Sequence, residues 1–337
     1  MPAPGRRGVQ LSAFSILDEY PDLVAKGRDR IHEVLALARE ADRAGLAAVW
    51  VAEHHFHSGG VCPSPPVLLS AIGARTRQVR LGAMVSVLPF HDPVQVAEEY
   101  ALVDRLTGGR LNLGLGSGYI AAELEGFGVD PATKREQFDR AYDTLLAAFS
   151  GAQVSTRHGG SVRVTTNVRP LQQPHPPLWI AVQRREALPF VARRDASVGL
   201  IPYATVPNLA TLADEIREYR AALPAGSGAR VSVAMHLYAG DRPAAARRAL
   251  QRYLDSRLAT QSAFYQQRVR EDPSLASVSA IEATGFALLG PASEVREKLE
   301  AFAAAGVDEI LGIFDFGGLA PSQVKASVRA LGATFQN

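Results

Sequence analysis

The sequence predicts an α/β fold, a TIM (β/α)8 barrel with insertions after strands at its C-terminal face. Strand-like and helix-like segments alternate along the chain, which is typical of βαβ units with a parallel sheet. An open doubly wound sheet also fits this alternation, but the chain of 337 residues continues it through eight strands, the number of a barrel. The predicted strands are residues 9–15, 47–52, 79–87, 111–115, 178–182, 198–201, 231–237 and 309–314.

Apolar spacing and helix-ending residues predict the helices between these strands. In residues 28–44, apolar side chains recur at spacings of three and four, which places them on one helix face. Gly45 follows where a helix end favours a left-handed residue. Asp92 and Pro93 begin another helix, because aspartate caps and proline suits the first turn. The remaining helices predicted in this half of the chain are residues 65–74, 93–106 and 136–149.

Two stretches interrupt the alternation. Residues 151–177 are polar, glycine-rich and then proline-rich, which predicts a small insertion with a hairpin. Residues 241–290 predict a longer insertion, with a helix over 244–270 followed by a polar loop. Because insertions after strand C-termini lie on the catalytic face of a barrel, we expect the second one to act as a substrate lid. The chain as a whole, 1–337, is predicted to be a single barrel domain.

Composition limits the partners and the compartment. The chain has 36 basic and 34 acidic residues and no long basic run, which argues against a nucleic-acid surface. Its single cysteine, Cys62, cannot form an internal disulfide, which is typical of a reducing compartment. The sequence shows no signal peptide and no apolar run of membrane-spanning length. We therefore expect a soluble, cytoplasmic protein that binds neither membranes nor nucleic acids.

Titratable residues cluster where one predicted strand ends, in WVAEHHFH (residues 50–57). Barrels place their active sites at the C-terminal ends of strands. Since side chains alternate along a strand, Glu53 and His55 are predicted to point away from His54. A histidine at this position can transfer protons near neutral pH. The alternative is that these histidines are buried and satisfied by structural hydrogen bonds.

A metal site is the rival functional interpretation of the same cluster. The residue types are those that bind zinc or iron. However, neighbouring residues on a strand point apart, and no second pair of histidines with ligand spacing occurs elsewhere, so a metal site is the less favoured hypothesis. The residues that could supply ligands are Glu53, His54, His55, His57, His91 and Asp92.

Residues 106–118, LTGGRLNLGLGSG, contain five glycines. The spacing of Gly114, Gly116 and Gly118 is not that of a dinucleotide-binding fingerprint. Backbone N–H groups at such a strand end can approach a phosphate. The same glycines also fit a tight turn that requires positive φ. The spacing leaves these two interpretations open.

Three segments together resemble the bacterial luciferase-like flavin-dependent monooxygenase family. They are residues 48–56 (AVWVAEHHF), 82–93 (GAMVSVLPFHDP) and 97–128, which contains LVDRLTGGRLNLGLGSG. Their order and separation match the family, and the resemblance extends from residue 10 to residue 223 and more loosely beyond. Any one of these motifs alone would be a weak signal.

The resemblance implies which residues form the site. By position, His54 matches the catalytic histidine of the family and His55 its neighbour. Met84 and Val85 match the place of a non-prolyl cis peptide that supports the flavin ring. The residues that match the phosphate side of the cofactor site are Ser117, Tyr119, Arg135, Gln183 and Arg184.

The resemblance also implies a function. Family members use reduced FMN or the deazaflavin F420, and the AEHHF form is more similar to the FMN members. We therefore expect a monooxygenase that oxidises a small organic substrate with O2 and reduced FMN. The reduced FMN is expected to come from a separate reductase, because the chain carries no NAD fingerprint. The alternatives are F420-dependent hydride transfer and a non-catalytic flavin-binding protein.

One departure from the family limits the function that the resemblance implies. The chain has Gly116 where luciferase carries a reactive cysteine, so light emission on a long-chain aldehyde is not implied.

A closed, apolar site is expected, with Phe14, Trp50, Phe56 and Leu88 as candidates for its wall. Family members tend to be dimers, which predicts a homodimer through helices 65–74 and 93–106.

Overall fold

The computed structural model describes residues 8–202, 206–258 and 263–332. Nine strands in these ranges form one sheet, and every pairing between them is parallel. The strands are β1 (Gln10–Ser15), β2 (Ala48–Val51), β3 (Arg80–Val87), β4 (Leu111–Gly116), β5 (Leu178–Val182), β6 (Ser197–Leu200), β7 (Val231–Ala239), β8 (Ala287–Gly290) and β9 (Glu309–Ile313).

Eight of these strands close into a barrel. Neighbours follow in chain order from β1 to β7, after which β7 pairs with β9 and β9 pairs back with β1. Gln10 on β1 and Ser232 on β7 both lie beside Glu309, so β9 fills the remaining gap. The closed parallel barrel and each of the eight predicted strands are thereby confirmed.

The ninth strand, β8, was not predicted. It pairs with the second half of β7, from His236 onward, whereas β6 pairs with the first half. The prediction of a polar loop at this point is therefore wrong. β8 consists of only four residues, ALLG, and a run that short carries no periodicity that would distinguish it from a buried loop.

Helices cover the outside of the barrel. None of the described helices is both long and apolar enough to cross a bilayer. The helices are α1 (Pro21–Val24), α2 (Arg30–Arg43), α3 (Pro65–Gly73), α4 (Pro93–Leu106), α5 (Ala121–Gly126), α6 (Lys134–Ser150), α7 (Leu188–Ala192), α8 (Leu209–Ala221), α9 (Pro243–Arg257), α10 (Ala263–Glu271), α11 (Val278–Thr284), α12 (Ala292–Ala304) and α13 (Pro321–Gly332).

The local signals that predicted helix ends act as expected. The Asp92 carboxylate accepts a hydrogen bond from the Val94 N–H at 2.9 Å and so caps α4, with Pro93 in its first turn. Gly45 adopts a φ of +73° directly after α2, a conformation that costs glycine little. The first signal begins α4 after β3, and the second ends α2 before β2.

The two insertions differ in how well they match their predictions. In residues 151–177 an antiparallel bridge joins Val154 to Val164, which confirms a small hairpin. In residues 241–290 the predicted helix 244–270 is wrong as one element, because α9 ends at Arg257 and α10 is a separate helix. The segment 259–262 between them lies outside the described residues.

Buried polar contacts fill the end of the barrel where the strands begin. The carboxylate of Glu309, the first residue of β9, accepts hydrogen bonds from Ser12 Oγ at 2.6 Å and Trp50 Nε1 at 2.9 Å. The Trp50 ring packs edge-on against Trp179, with ring centroids 5.5 Å apart. Trp50 therefore belongs to the barrel core, and its prediction as part of the site wall is wrong.

Candidate active site

The candidate site lies where β2 and β3 end, at the opposite end of the barrel from Glu309. Glu53, His54 and His55 follow β2 and are all buried. As the alternation of side chains predicts, His54 faces one set of partners, while Glu53 and His55 face another.

One carboxylate oxygen organises the His54 side. Glu123 Oε1, on α5, lies 3.0 Å from His54 Nδ1 and 3.0 Å from His57 Nε2. The backbone N–H of His55 also donates to this oxygen, at 2.9 Å. Burial alone would raise the pKa of Glu123, but the hydrogen bonds from His54 and His57 outweigh it and lower the pKa to about 2. Glu123 is therefore ionised at neutral pH and acts only as an acceptor.

An ionised Glu123 fixes the tautomer of His54. The Nδ1 atom must carry the hydrogen that it donates to Glu123. Burial lowers the pKa of His54, the hydrogen bond to Glu123 opposes this, and the positive charge of Arg257 lowers the pKa further. The ring is therefore neutral, and its Nε2 carries the lone pair that can accept a proton.

The Glu53 side connects the ends of two strands. Glu53 Oε1 lies 3.1 Å from His55 Nε2 and 2.7 Å from His91 Nε2. Its second oxygen accepts hydrogen bonds from Ser86 Oγ at 3.2 Å and from the Val87 N–H at 3.1 Å. Burial would raise the pKa of Glu53, but the hydrogen bonds from His55 and His91 lower it. Glu53 thus holds the end of β2 against the end of β3.

The peptide bond between Met84 and Val85 is cis, as the resemblance implies. The pairing of β3 with β4 shifts register between Ala83 and Ser86, on either side of this bond. A Cβ atom on Gly116 would lie 2.6 Å from Val85 Cγ2, and one on Gly114 would collide with the Ala83 carbonyl oxygen. These two glycines are therefore explained by the close approach of β3, whereas Gly118, with a φ of +78°, is a turn glycine.

Cationic side chains gather beyond the glycine-rich end of β4. Lys134, at the start of α6, donates a hydrogen bond from Nζ to the Gly118 carbonyl at 2.6 Å. Burial lowers the pKa of Lys134, and the positive charge of Arg184 lowers it further. Ser117 and Tyr119 flank Gly118. The structure thus brings Lys134 into contact with the loop after β4, where the charge of Arg184 also acts on it.

Arg135 points to a different contact. Its guanidinium lies 3.2 Å from the centroid of the Phe190 ring and 3.8 Å from the Asp139 carboxylate. Arg194 also lies over Phe190, at 3.6 Å. Gln183 follows directly after β5 and precedes Arg184. Lys134 contacts the glycine-rich loop directly, and the sequence prediction did not include it.

The hypothesis of a metal site can be compared with this geometry. His54 and His55 belong to different groups, each with one carboxylate, and every short contact within them is a histidine–carboxylate hydrogen bond. Asp92 belongs to neither group, because it caps α4 and accepts from the Arg157 N–H. Within each group the two histidine nitrogens and the carboxylate oxygen lie within 4.8 Å of one another, so each group could also hold a metal ion and the metal site stays a hypothesis.

Several functional residues were not predicted from the sequence. Glu123 lies inside a recognised motif but was given no role, and it contacts a histidine 69 positions away. His57 and His91 entered only as candidate metal ligands. Phe56, predicted as part of an apolar wall, is 67 % exposed and lies beside the rings of His55 and Phe127, so its place in the wall stays a prediction.

The fold and site define a TIM barrel with buried histidine–carboxylate pairs at the carboxyl ends of its strands. The chain belongs to the luciferase-like monooxygenase family, which it matches over residues 10–309. Members of this family are monooxygenases and related oxidoreductases.

Curated relatives match over part of their length. An uncharacterised protein of Sinorhizobium fredii is 38 % identical over 195 residues, which are 57 % of this chain and 56 % of that protein. The oxygenase component of a flavin-dependent trigonelline monooxygenase from Acinetobacter baylyi is 29 % identical over 50 % of this chain and 48 % of that protein. The matched segment thus spans about half the length of these relatives.

Solved structures share the fold over nearly the whole chain. Monooxygenase RslO1 from Streptomyces bottropensis superposes with a TM-score of 0.81 at 24 % identity, covering 96 % of this chain and 98 % of that one. The oxygenating constituent of 3,6-diketocamphane monooxygenase from Pseudomonas putida, solved with FMN, gives 0.78 at 16 % identity over 96 % of each chain. An F420-dependent secondary alcohol dehydrogenase gives 0.69 at 17 % identity over 96 % of this chain and 99 % of that one.

Proposed function

We propose that this protein is the oxygenase of a two-component system, which oxidises a small organic substrate with O2 and reduced FMN. The observation that carries the proposal is the neutral ring of His54, which ionised Glu123 holds in one tautomer. Glu53 connects this strand end to the end of β3. This arrangement combines a proton-transfer group with a rigid backbone surface at the mouth of a barrel.

The residues present fit a flavin mononucleotide. The absence of Cβ atoms at Gly114 and Gly116 lets Ala83 and Val85 lie close against β4, and we propose this segment as the cradle of the flavin ring. Lys134 and Arg184 supply cations for a phosphate dianion. Other residues proposed for the phosphate side are Ser117, Tyr119, Arg135 and Gln183. Reduced FMN, when bound, supplies the electrons that activate O2.

The protein's own part in the reaction is proton transfer and exclusion of water. His54 Nε2 accepts or returns a proton at the substrate, and Glu123 holds the ring in the required tautomer. His55, fixed by Glu53, supports the neighbouring backbone. Because the histidines are buried, charges that develop beside them interact more strongly than they would in water.

The need for a separate reductase is also a proposal. A relative named as the oxygenase component of a flavin-dependent monooxygenase supports it, as does the absence of an NAD fingerprint in this sequence. Hydride transfer with F420 is the second candidate. It is favoured by the shared fold of an F420-dependent dehydrogenase and by the cations Lys134 and Arg184, which suit either cofactor's phosphate.

A homodimer through α3 and α4 is proposed in addition. Three large apolar side chains on these helices are unusually exposed: Val67 at 71 %, Leu102 at 51 % and Leu106 at 64 %. Apolar groups of this kind support a face that is covered by another copy of the chain. We further propose that the protein is cytoplasmic, consistent with its single, buried cysteine.

Anaerobic titration with FMN, reduced FMN and F420 tests the cofactor, and mixing the complex with O2 tests the reaction. We expect tight binding of reduced FMN and, with O2, slower release of hydrogen peroxide than from free reduced FMN. Binding of F420 but not of FMN would refute the monooxygenase proposal and support F420-dependent hydride transfer. Flavin binding without any effect on its reoxidation would indicate a non-catalytic flavin carrier, and binding of neither cofactor would refute both proposed activities.

A further inference from the structure

Arg257 connects the insertion after β7 to the loop that covers His54. It is the last residue of α9, and although it is an arginine it is only 2 % exposed. Its guanidinium donates a hydrogen bond to the carbonyl oxygen of Gly59. The Tyr253 ring, one turn earlier on the same helix, lies 5.4 Å from the guanidinium carbon. A buried cation is costly to desolvate, so its position here calls for a functional explanation.

The loop that Arg257 holds lies directly against the proposed catalytic ring. A Cβ atom on Gly60 would lie 2.5 Å from His54 Cδ2, so the glycine backbone contacts the imidazole as closely as packing permits. The His54 N–H donates to the Cys62 carbonyl at 3.0 Å, which closes this short loop on His54 itself. Any shift of Gly59 is therefore transmitted to His54.

We propose that Arg257 is a positioning residue for His54. Arg257 acts through the loop of Gly59 and Gly60, and so couples the position of α9 to the position of the imidazole ring. This inference rests on the proposed role of His54. When α9 is seated, Arg257 holds the loop down and Gly60 fixes the ring against Glu123. When α9 is displaced, the loop loses this hydrogen bond and the ring gains freedom. The position of α9 thereby sets the orientation of the imidazole ring.

Electrostatics strengthens the same coupling. The charged or titratable groups that face His54 are Glu123 on α5, His57 in the loop, Tyr119 after β4 and Arg257 on α9. Arg257 is the fixed positive charge among them and lowers the pKa of His54. Seating of α9 therefore favours the neutral ring that can accept a proton.

The test compares Arg257→Leu and Arg257→Lys with Arg247→Leu as the matched control. Arg247 lies on the same helix and makes an exposed ion pair with Glu282. Hydrogen exchange of residues 57–62 and the NMR titration of the His54 ring are measured in the flavin-free, full-length protein. We expect Arg257→Leu to speed exchange in this loop at least several-fold and to move the His54 midpoint upward. Arg257→Lys should bring the exchange rate and the His54 midpoint back towards the wild-type values, and Arg247→Leu should change neither quantity.

A second variant keeps the test informative if Arg257→Leu does not fold. Gly60→Ala leaves Arg257 in place but introduces a Cβ atom against the imidazole, and we expect it to alter the His54 titration as well. The inference is overturned if Arg257→Leu, or in its absence Gly60→Ala, leaves the His54 titration as in the control. Because neither readout uses a flavin, failure of the wild-type protein to bind FMN would instead count against the proposed function.

Discussion

Glu123 and His54 are 69 residues apart in the chain, yet Glu123 Oε1 and His54 Nδ1 lie 3.0 Å apart in the folded protein. The carboxylate comes from α5, after β4, and the histidine from the end of β2. Since β2 and β4 both flank β3 in the barrel, their carboxyl ends meet at the same rim. This contact sets the tautomer of the histidine on which the proposed chemistry depends.

Replacing His54 should abolish most of the turnover. We expect His54→Ala to lower the rate by roughly 10²- to 10⁴-fold, the usual contribution of a positioned general acid or base. Binding of FMN should be largely retained, because the proposed phosphate contacts lie after β4 and β5. The affinity for FMN and the rate of substrate oxidation in air are measured for His54→Ala and for the wild type. Unchanged turnover would remove His54 from the mechanism.

Glu123→Gln tests the tautomer separately from the histidine. A glutamine can donate an N–H to Nδ1 and thereby place the ring hydrogen on Nε2, and a wrong tautomer can cost up to about 10⁴-fold. We expect a large fall in turnover with the fold retained. The control is Glu125→Gln, an exposed position on the same short helix. Equal activities of the two variants would contradict the role of Glu123.

Acid should destabilise the protein through Glu123. Its pKa is held at about 2 in the folded state, below its ordinary value, so its contribution to stability is present at neutral pH and is lost as pH falls from about 4.5 toward 2. The contribution is at most on the order of 3 kcal/mol. The free energy of unfolding, measured with urea, should fall less steeply between pH 7 and pH 3 in Glu123→Gln than in the wild type. Parallel curves would count against the depressed pKa.

The phosphate side can be tested with two flavins. We expect Lys134→Ala and Arg184→Ala each to weaken FMN binding by about tenfold or more, because each removes a charge-assisted contact. Riboflavin, which lacks the phosphate, should bind the variants as it binds the wild type. Arg185→Ala is the matched control, since the neighbouring Arg185 pairs with Glu218 at 2.8 Å. Equal losses of affinity for FMN and for riboflavin would show that these two residues do not bind the phosphate.

A methyl group at Gly114 should disturb the cradle beneath the proposed flavin. Its Cβ would collide with the Ala83 carbonyl oxygen, next to the cis peptide bond. We expect Gly114→Ala to destabilise the protein by about 1–3 kcal/mol and to weaken FMN binding. In Gly228→Ala the added Cβ meets nothing within 4 Å, so this variant should retain both properties. Urea midpoints and FMN titrations measure the two effects.

The proposed dimer predicts the effect of charges on α3 and α4. Val67→Glu and Leu102→Glu should convert a dimer to monomers in sedimentation experiments, because both side chains are exposed in the monomer. Leu171→Glu, also at an exposed leucine but in the small insertion, should leave the assembly unchanged. A wild-type protein that sediments as a monomer would contradict the proposal directly.

The barrel could be predicted from the sequence, because strand and helix periodicities and caps such as Asp92 are local properties. It also determined that His54 and Glu53 face apart, since that follows from the geometry of one strand. It did not predict β8, which is too short to show a pattern, or the break in the helix 244–270, where no proline or glycine marks the end of α9.

The residues that complete the site come from distant parts of the chain and could be identified only in the folded protein. Closure of the barrel brings Glu123 to His54, and the seating of α9 brings Arg257 to Gly59. Both contacts join segments far apart in the chain, and no local pattern records them. Their cause is the parallel barrel itself, which gathers the carboxyl ends of all its strands at one rim, where the connecting loops and helices must pack against one another.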